Sequence, residues 1–143
     1  MIELNYSLRV AYKAALTGIA NVPVFYQAVP PNESPQDYII YRSINSTDIS
    51  TKNSSDTDTT VVVEIHTYSD VVNSGLSADA IAREVFNRIY ANTQFNLSID
   101  GGQIVHTKMQ NDQTFDYTNT GGRSYISRFI TFKHTIFQTG DIS

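Results

Sequence analysis

A chain of 143 residues has the length of one ordinary domain and can bury one sizeable core. Its formal net charge of −4, with the basic residues scattered rather than gathered on one face, excludes a protein that grips nucleic acid by neutralising phosphates. Cysteine is absent, which removes disulfide frameworks and thiolate metal centres.

The N-terminal Met1-Ile-Glu-Leu-Asn5 has no charged region followed by an apolar run, so no secretory signal is expected. The apolar runs are also too short to span a bilayer. Leu8, Ala11, Tyr12, Ala15 and Ile19 keep helical spacing and predict a helix over 5–16. Asn5 suits its N-cap, and Gly18 suits its end because glycine adopts a left-handed backbone without penalty. Pro23 forbids further helix and opens a short extended piece over 24–28. Pro30, Pro31 and Pro35 bracket a connection to a strand, Tyr38-Ile-Ile-Tyr-Arg-Ser-Ile44.

Residues 46–59 are almost all Ser, Thr, Asn, Asp and Lys, with Ile49 as the apolar exception. A stretch this polar buries too little surface to offset its ordering entropy, so a long, mobile hairpin arm is expected. The next strand, Thr60-Val-Val-Val-Glu-Ile-His-Thr-Tyr68, places Val61, Val63, Ile65 and Thr67 on one face. Val62, Glu64, His66 and Tyr68 take the other. A helix over 77–90 carries Ala78, Ile81, Ala82, Val85 and Ile89 as one apolar stripe, with Arg83, Asn87 and Arg88 off it. The simplest joint reading lays this stripe on the apolar face of that strand.

Residues 92–96 read as irregular, Asp100-Gly101-Gly102 as a turn, 104–110 as a strand and Asn119-Thr-Gly-Gly122 as another turn. The last strand, over 123–138, is apolar on both faces: Ile126, Ile130, Phe132 and Ile136 on one, Tyr125, Phe129 and Phe137 on the other. Such a strand is central, or has its second face covered by another chain. Residues 139–143 read as a frayed tail. Short loops between strands favour antiparallel hairpins, so the expected fold class is α+β: a mainly antiparallel β-sheet with two α-helices packed on one face and a long hairpin arm.

No motif with a catalytic mechanism is present. His66, His106 and His134 each fall in a predicted strand without the spacing of a metal site. Asp48, Asp56 and Asp58 lack the pattern of a calcium loop. Glu64 and His66 share a strand face, where a structural ion pair is the default reading. A small enzyme or ligand-binding domain built on Glu64, His66 and His134 is the alternative from a different class. No cofactor or metal is expected. Nine tyrosines and seven phenylalanines form an aromatic-rich set that suits either a sheet core or a protein interface.

The order of an N-terminal helix, Val24-Phe-Tyr26, Pro35-Gln-Asp-Tyr-Ile-Ile-Tyr41, a polar arm, Val61-Val-Val-Glu-Ile-His-Thr-Tyr68, the Ala-rich helix Ser77-Ala-Asp-Ala-Ile-Ala-Arg-Glu-Val-Phe-Asn-Arg-Ile89 and a long strand from Tyr125 to Phe137 resembles the tail terminator, or tail completion, proteins of long-tailed bacteriophages. The resemblance covers roughly residues 4–138. It implies a structural, non-enzymatic virion subunit that forms a homo-oligomeric ring, usually a hexamer, on the last layer of the tail tube. The ring ends tube growth and offers the joining surface for the head. Its partners would be itself, the tail tube protein and a head-neck connector protein, with DNA passing through without specific binding; assembly would take place in the host cytoplasm. The alternative within the same setting is another head-tail connector or neck adaptor. The arm is less charged, and the chain after Ile89 longer, than the resemblance implies. In such a ring the candidate assembly or pore arm residues are Asp48, Ile49, Lys52, Asp56 and Asp58. The candidate interface strand carries Tyr125, Phe129 and Phe137.

Overall fold

The computed structural model describes residues 4–33, 37–50, 56–69, 74–89, 99, 102–118 and 124–138. Helix α1 (Leu4–Leu16) leads through a 3-10 turn at Ile19–Asn21 into β1 (Val24–Tyr26). Then come β2 (Tyr38–Asp48), β3 (Asp56–Ser69), α2 (Ser74–Ile89), β4 (Gly102–Thr118) and β5 (Ser124–Gln138). The strands make one five-stranded sheet in the order β1-β2-β3-β5-β4. All pairings are antiparallel except β1 with β2, which is parallel. The expected α+β class and element order hold. The parallel pairing of the expected short strand β1 is an addition that its three residues do not announce.

One face of the sheet is covered by both helices. Val61, Val63 and Ile65 of β3 lie in the same buried cluster as Ile81, Ala82, Val85 and Ile89 of α2, as the stripe predicts. Leu8, Tyr12 and Leu16 of α1 join the cluster beside Ile39 and Tyr41, and Ile130, Phe132 and Ile136 of β5 complete it. α1 begins at Leu4, one residue ahead of the cap expected at Asn5. Its end is as expected: Gly18 stands at φ 91°, the left-handed setting that closes a helix.

Arg88, which the sequence sets off the apolar stripe, joins the two helices. Its guanidinium donates to the carbonyls of Ala15 at 3.0 Å and Thr17 at 2.9 Å, groups that helix α1 leaves without intrahelical donors. Arg128 plays a similar part at the far end. It forks onto Asp112 of β4 at 2.9 and 2.7 Å and reaches Asp79 of α2 at 3.1 Å, tying the helix to the edge strand across β5.

The polar stretch 46–59 differs from its expected form. Asn45 to Asp48 and Thr57 to Thr60 are paired strand, and the residues from Asp56 to Thr59 pair with β5 as well. Thr57, Thr59 and Val61 share a face of β3, and Thr59 is only 1% exposed. The β-branched threonines continue the strand, and flanking strands on both sides supply the backbone partners that solvent would otherwise supply. The hairpin therefore belongs to the sheet down to Asp48 and Asp56. β4 is also longer than the 104–110 expected; bulges at Val105 and Gln110 break its alternation and conceal its length from a period-2 reading.

Lys52, residues 92–96, the Asp100-Gly101 turn, the turn at 119–122 and the tail 139–143 lie outside the described residues.

Candidate functional site

His134 and the Glu64–His66 pair are separated by the sheet. His134 has the parity of Phe132 and Ile136 and lies on the helix side, fully buried, whereas Glu64 and His66 face the other side. A site built on all three is therefore not assembled. Among the described residues no group of three His, Cys, Asp or Glu side chains is placed to hold a metal ion.

His134 is instead the centre of a polar chain inside the core. The Tyr12 hydroxyl meets its Nε2, and Thr107 Oγ1 lies 2.9 Å from its Nδ1. A neutral imidazole donates from one ring nitrogen and accepts at the other, so one of the two hydroxyls donates to His134 and the other accepts from it. Burial holds the imidazole pKa down at about 4, and burial raises that of Tyr12 well above its ordinary value. Helical spacing marks Tyr12 as an apolar-face residue, whereas the sequence gives His134 only a place in a strand and does not set the two against one another.

On the opposite face Ser127 Oγ lies 2.9 Å from His66 Nδ1, and His66 Nε2 lies 3.0 Å from Glu64 Oε1. Glu64 is only 5% exposed and also receives the Arg42 guanidinium. The order hydroxyl, imidazole, carboxylate has the outline of a nucleophilic triad. The described residues around it do not complete such a site. Ser127 is buried mid-strand in β5, and β3 and β5 are both interior strands whose amides are committed to their neighbours, leaving no pair of N–H groups for an oxyanion. This is a charge-satisfied brace across three strands.

Around that brace runs a row of rings to which every strand contributes. Phe25 of β1 meets Tyr38 of β2 edge-on, and Tyr38 stacks on His66 of β3 with centroids 4.7 Å apart. Phe129 of β5 approaches His66 edge-on and Phe115 of β4 approaches Phe129 at 5.4 Å. No described helix lies over this face. Phe129 and Phe137 are half-buried there and Phe115 is 38% exposed. The interface expected at Phe129 and Phe137 thus falls on an open sheet face. Tyr125 takes its backbone place in the ladder opposite Tyr68 and Tyr117, while its side chain lies outside the described residues.

Of the expected arm residues, Asp48 and Ile49 stand at the end of the hairpin. Asp48 Oδ1 accepts from the Ser50 amide at 2.9 Å, and its hydrogen bonds to Ser50 lower its pKa. Ile49 is 41% exposed. Asp56 opens β3. Asp58 is part of the sheet: it accepts from Thr135 at 2.6 Å and pairs with Lys133 at 3.3 Å. Beside it, Ile44, Asn45, Thr47, Gln110 and Lys133 surround a groove of about 360 Å³ on the open face.

This architecture has a counterpart among solved structures. One chain of the "Virion of native gene transfer agent (GTA) particle" superposes with a TM-score of 0.69 at 18% sequence identity, covering 96% of this chain and 99% of that one. At that identity the likeness is one of fold, and it extends over essentially the full length of both chains. No family model and no curated protein matches this chain.

Proposed function

We propose that this protein is a structural subunit of a tailed-phage virion. In this reading it is the tail terminator, which forms a ring, six-fold by the resemblance, on the head-proximal end of the tail tube, stops tube growth and presents the surface that joins the head. The observation that carries the reading is the end-to-end fold likeness to a chain of a gene transfer agent virion. The open aromatic face supports it, because rings exposed on a sheet without a covering layer suit a surface that another chain shelters. Phe129 and Phe137 are the contacts proposed there, and Asp48 and Ile49 those at the hairpin end. A net charge of −4 suits a conduit through which DNA slides without being held. The partners are further copies, the tail tube protein and a head-neck connector, in a particle put together in the host cytoplasm. The role is one of assembly, without catalysis.

Negative-stain electron microscopy of the concentrated protein tests the reading directly. Rings that bind purified tail tubes at one end are the expected result; a strict monomer at all concentrations that ignores tubes overturns it. Deleting the gene separates the terminator from a neck adaptor. Loss of a terminator gives overlong or headless tails, while loss of an adaptor leaves finished tails beside open heads.

A further inference from the structure

Among the described residues the sheet ends in two edges that carry no further strand. On one side β1 pairs with β2 only at Ile39, Ile40 and Tyr41, and among the described residues no strand lies against β2 from Arg42 to Asp48 on that side. On the other side β4 is the last strand, with no described neighbour along its outer edge. A bare edge offers backbone N–H and C=O groups as a template for another strand.

The two edges suit one another. Three successive antiparallel pairings separate β2 from β4, so they run in opposite directions. Rotation about an axis along the strands leaves each strand's direction unchanged. Copies repeated by such a rotation therefore bring β2 of one beside β4 of the next in antiparallel register, the more stable kind of ladder. Asp48 is level with Ile104, through Thr57 and Ile136, and Arg42 is level with Asn111, through Val62 and Thr131. Beyond that level β1 occupies the flank of β2, and β4 is bulged at Gln110 at the point where it would have to turn aside. The bare part of β2 also carries Ile44, an apolar side chain that is 59% exposed.

We propose that copies of this chain join head to tail through these edges, β2 over 42–48 of one copy pairing antiparallel with β4 over 104–111 of the next, so that one sheet runs on around the ring. This rests on the ring reading above and names the surfaces that close it. Head-to-tail contacts of this kind close into rings when the rotation permits.

The chain has no cysteine, so introduced thiols report on a single contact. Thr47→Cys on β2 is combined in turn with His106→Cys, Lys108→Cys or Asn111→Cys on β4. All four positions are exposed and share the open face, and cross-strand neighbours fall within the roughly 4.4–6.8 Å Cα spacing a disulfide needs. Oxidation of one of these pairs shifts the monomer band to a covalent ladder that ends at the ring size, while each single-Cys variant stops at a dimer or stays a monomer. Rings seen by microscopy with none of the three pairs cross-linking overturn the edge pairing and leave the ring reading standing. Absence of rings in the unmodified protein overturns both.

Discussion

The hydroxyl of Tyr12 on α1 meets Nε2 of His134 on β5 inside the core, and neither side chain has any exposed surface. The bond joins the first helix to the last strand, 122 positions apart. It has a thermodynamic signature. The His134 pKa is about 4 in the folded chain against 6.5 for an ordinary histidine. The folded state therefore disfavours the proton, and the stability this contributes is complete above pH 6.5 and lost as pH falls from there toward 4. The full span is on the order of 3 kcal/mol. Urea denaturation as a function of pH measures it. The double variant Tyr12→Phe, His134→Phe should flatten the profile across that window while other acid-sensitive groups keep theirs.

Thr67 presents the opposite situation. It is only 1% exposed, and its Oγ1 has no hydrogen-bond partner among the described residues. A buried hydroxyl left unpaired costs free energy that an apolar group of the same shape does not. Thr67→Val should stabilise the fold by about 1 kcal/mol, read as a higher denaturation midpoint with an unchanged slope.

Arg88 and Glu84 form an i,i+4 pair at 3.0 Å, yet they should respond very differently to truncation. Removing Glu84 leaves a half-exposed pair broken and costs a few tenths of a kcal/mol, as for surface pairs in general (about 0.3–0.5). Removing Arg88 also strips the donors from the Ala15 and Thr17 carbonyls at the end of α1, and Arg88→Ala should cost about 1–2 kcal/mol. Lysine cannot reproduce the fork, so Arg88→Lys should recover only part of the loss. Thermal melts of the three variants decide this.

Phe129 and Phe132 lie on opposite faces of β5. Phe132 is fully buried beneath the helices, and Phe132→Ala should cost about 3–5 kcal/mol of monomer stability. Phe129→Ser, on the open face, should cost clearly less and act mainly on association. Sedimentation velocity beside chemical denaturation distinguishes the two; equal losses of stability with unchanged assembly would count against the open face as a contact surface.

The parts of the fold legible in the sequence are those where one periodicity runs without interruption. The stripe Ala78, Ile81, Ala82, Val85, Ile89 and the alternation Val61, Val63, Ile65 specify their mutual packing. The ends of β2 and β3 were hidden by composition: Thr57 and Thr59 have the right shape for a strand but the polarity of a loop. Only the neighbouring strands make their backbone worth ordering. β4 was hidden by geometry, since each bulge reverses the inside-outside alternation. The open face was legible as a set of residues, Phe129 and Phe137 among them. The row from Phe25 to Phe115 was not, because strand order rather than spacing places those rings side by side. The chain from Tyr12 through His134 to Thr107 was hidden for the same reason, its members being drawn from three separate elements.

The bulges at Ile44, Val105 and Gln110 bear on a hazard as well as on shape. A long straight rim would zip onto any extended peptide and grow into fibrils. Here the rims are notched, and a flat foreign strand finds only short runs before its register fails. The notches thus guard both rims against growth by indiscriminate strand addition.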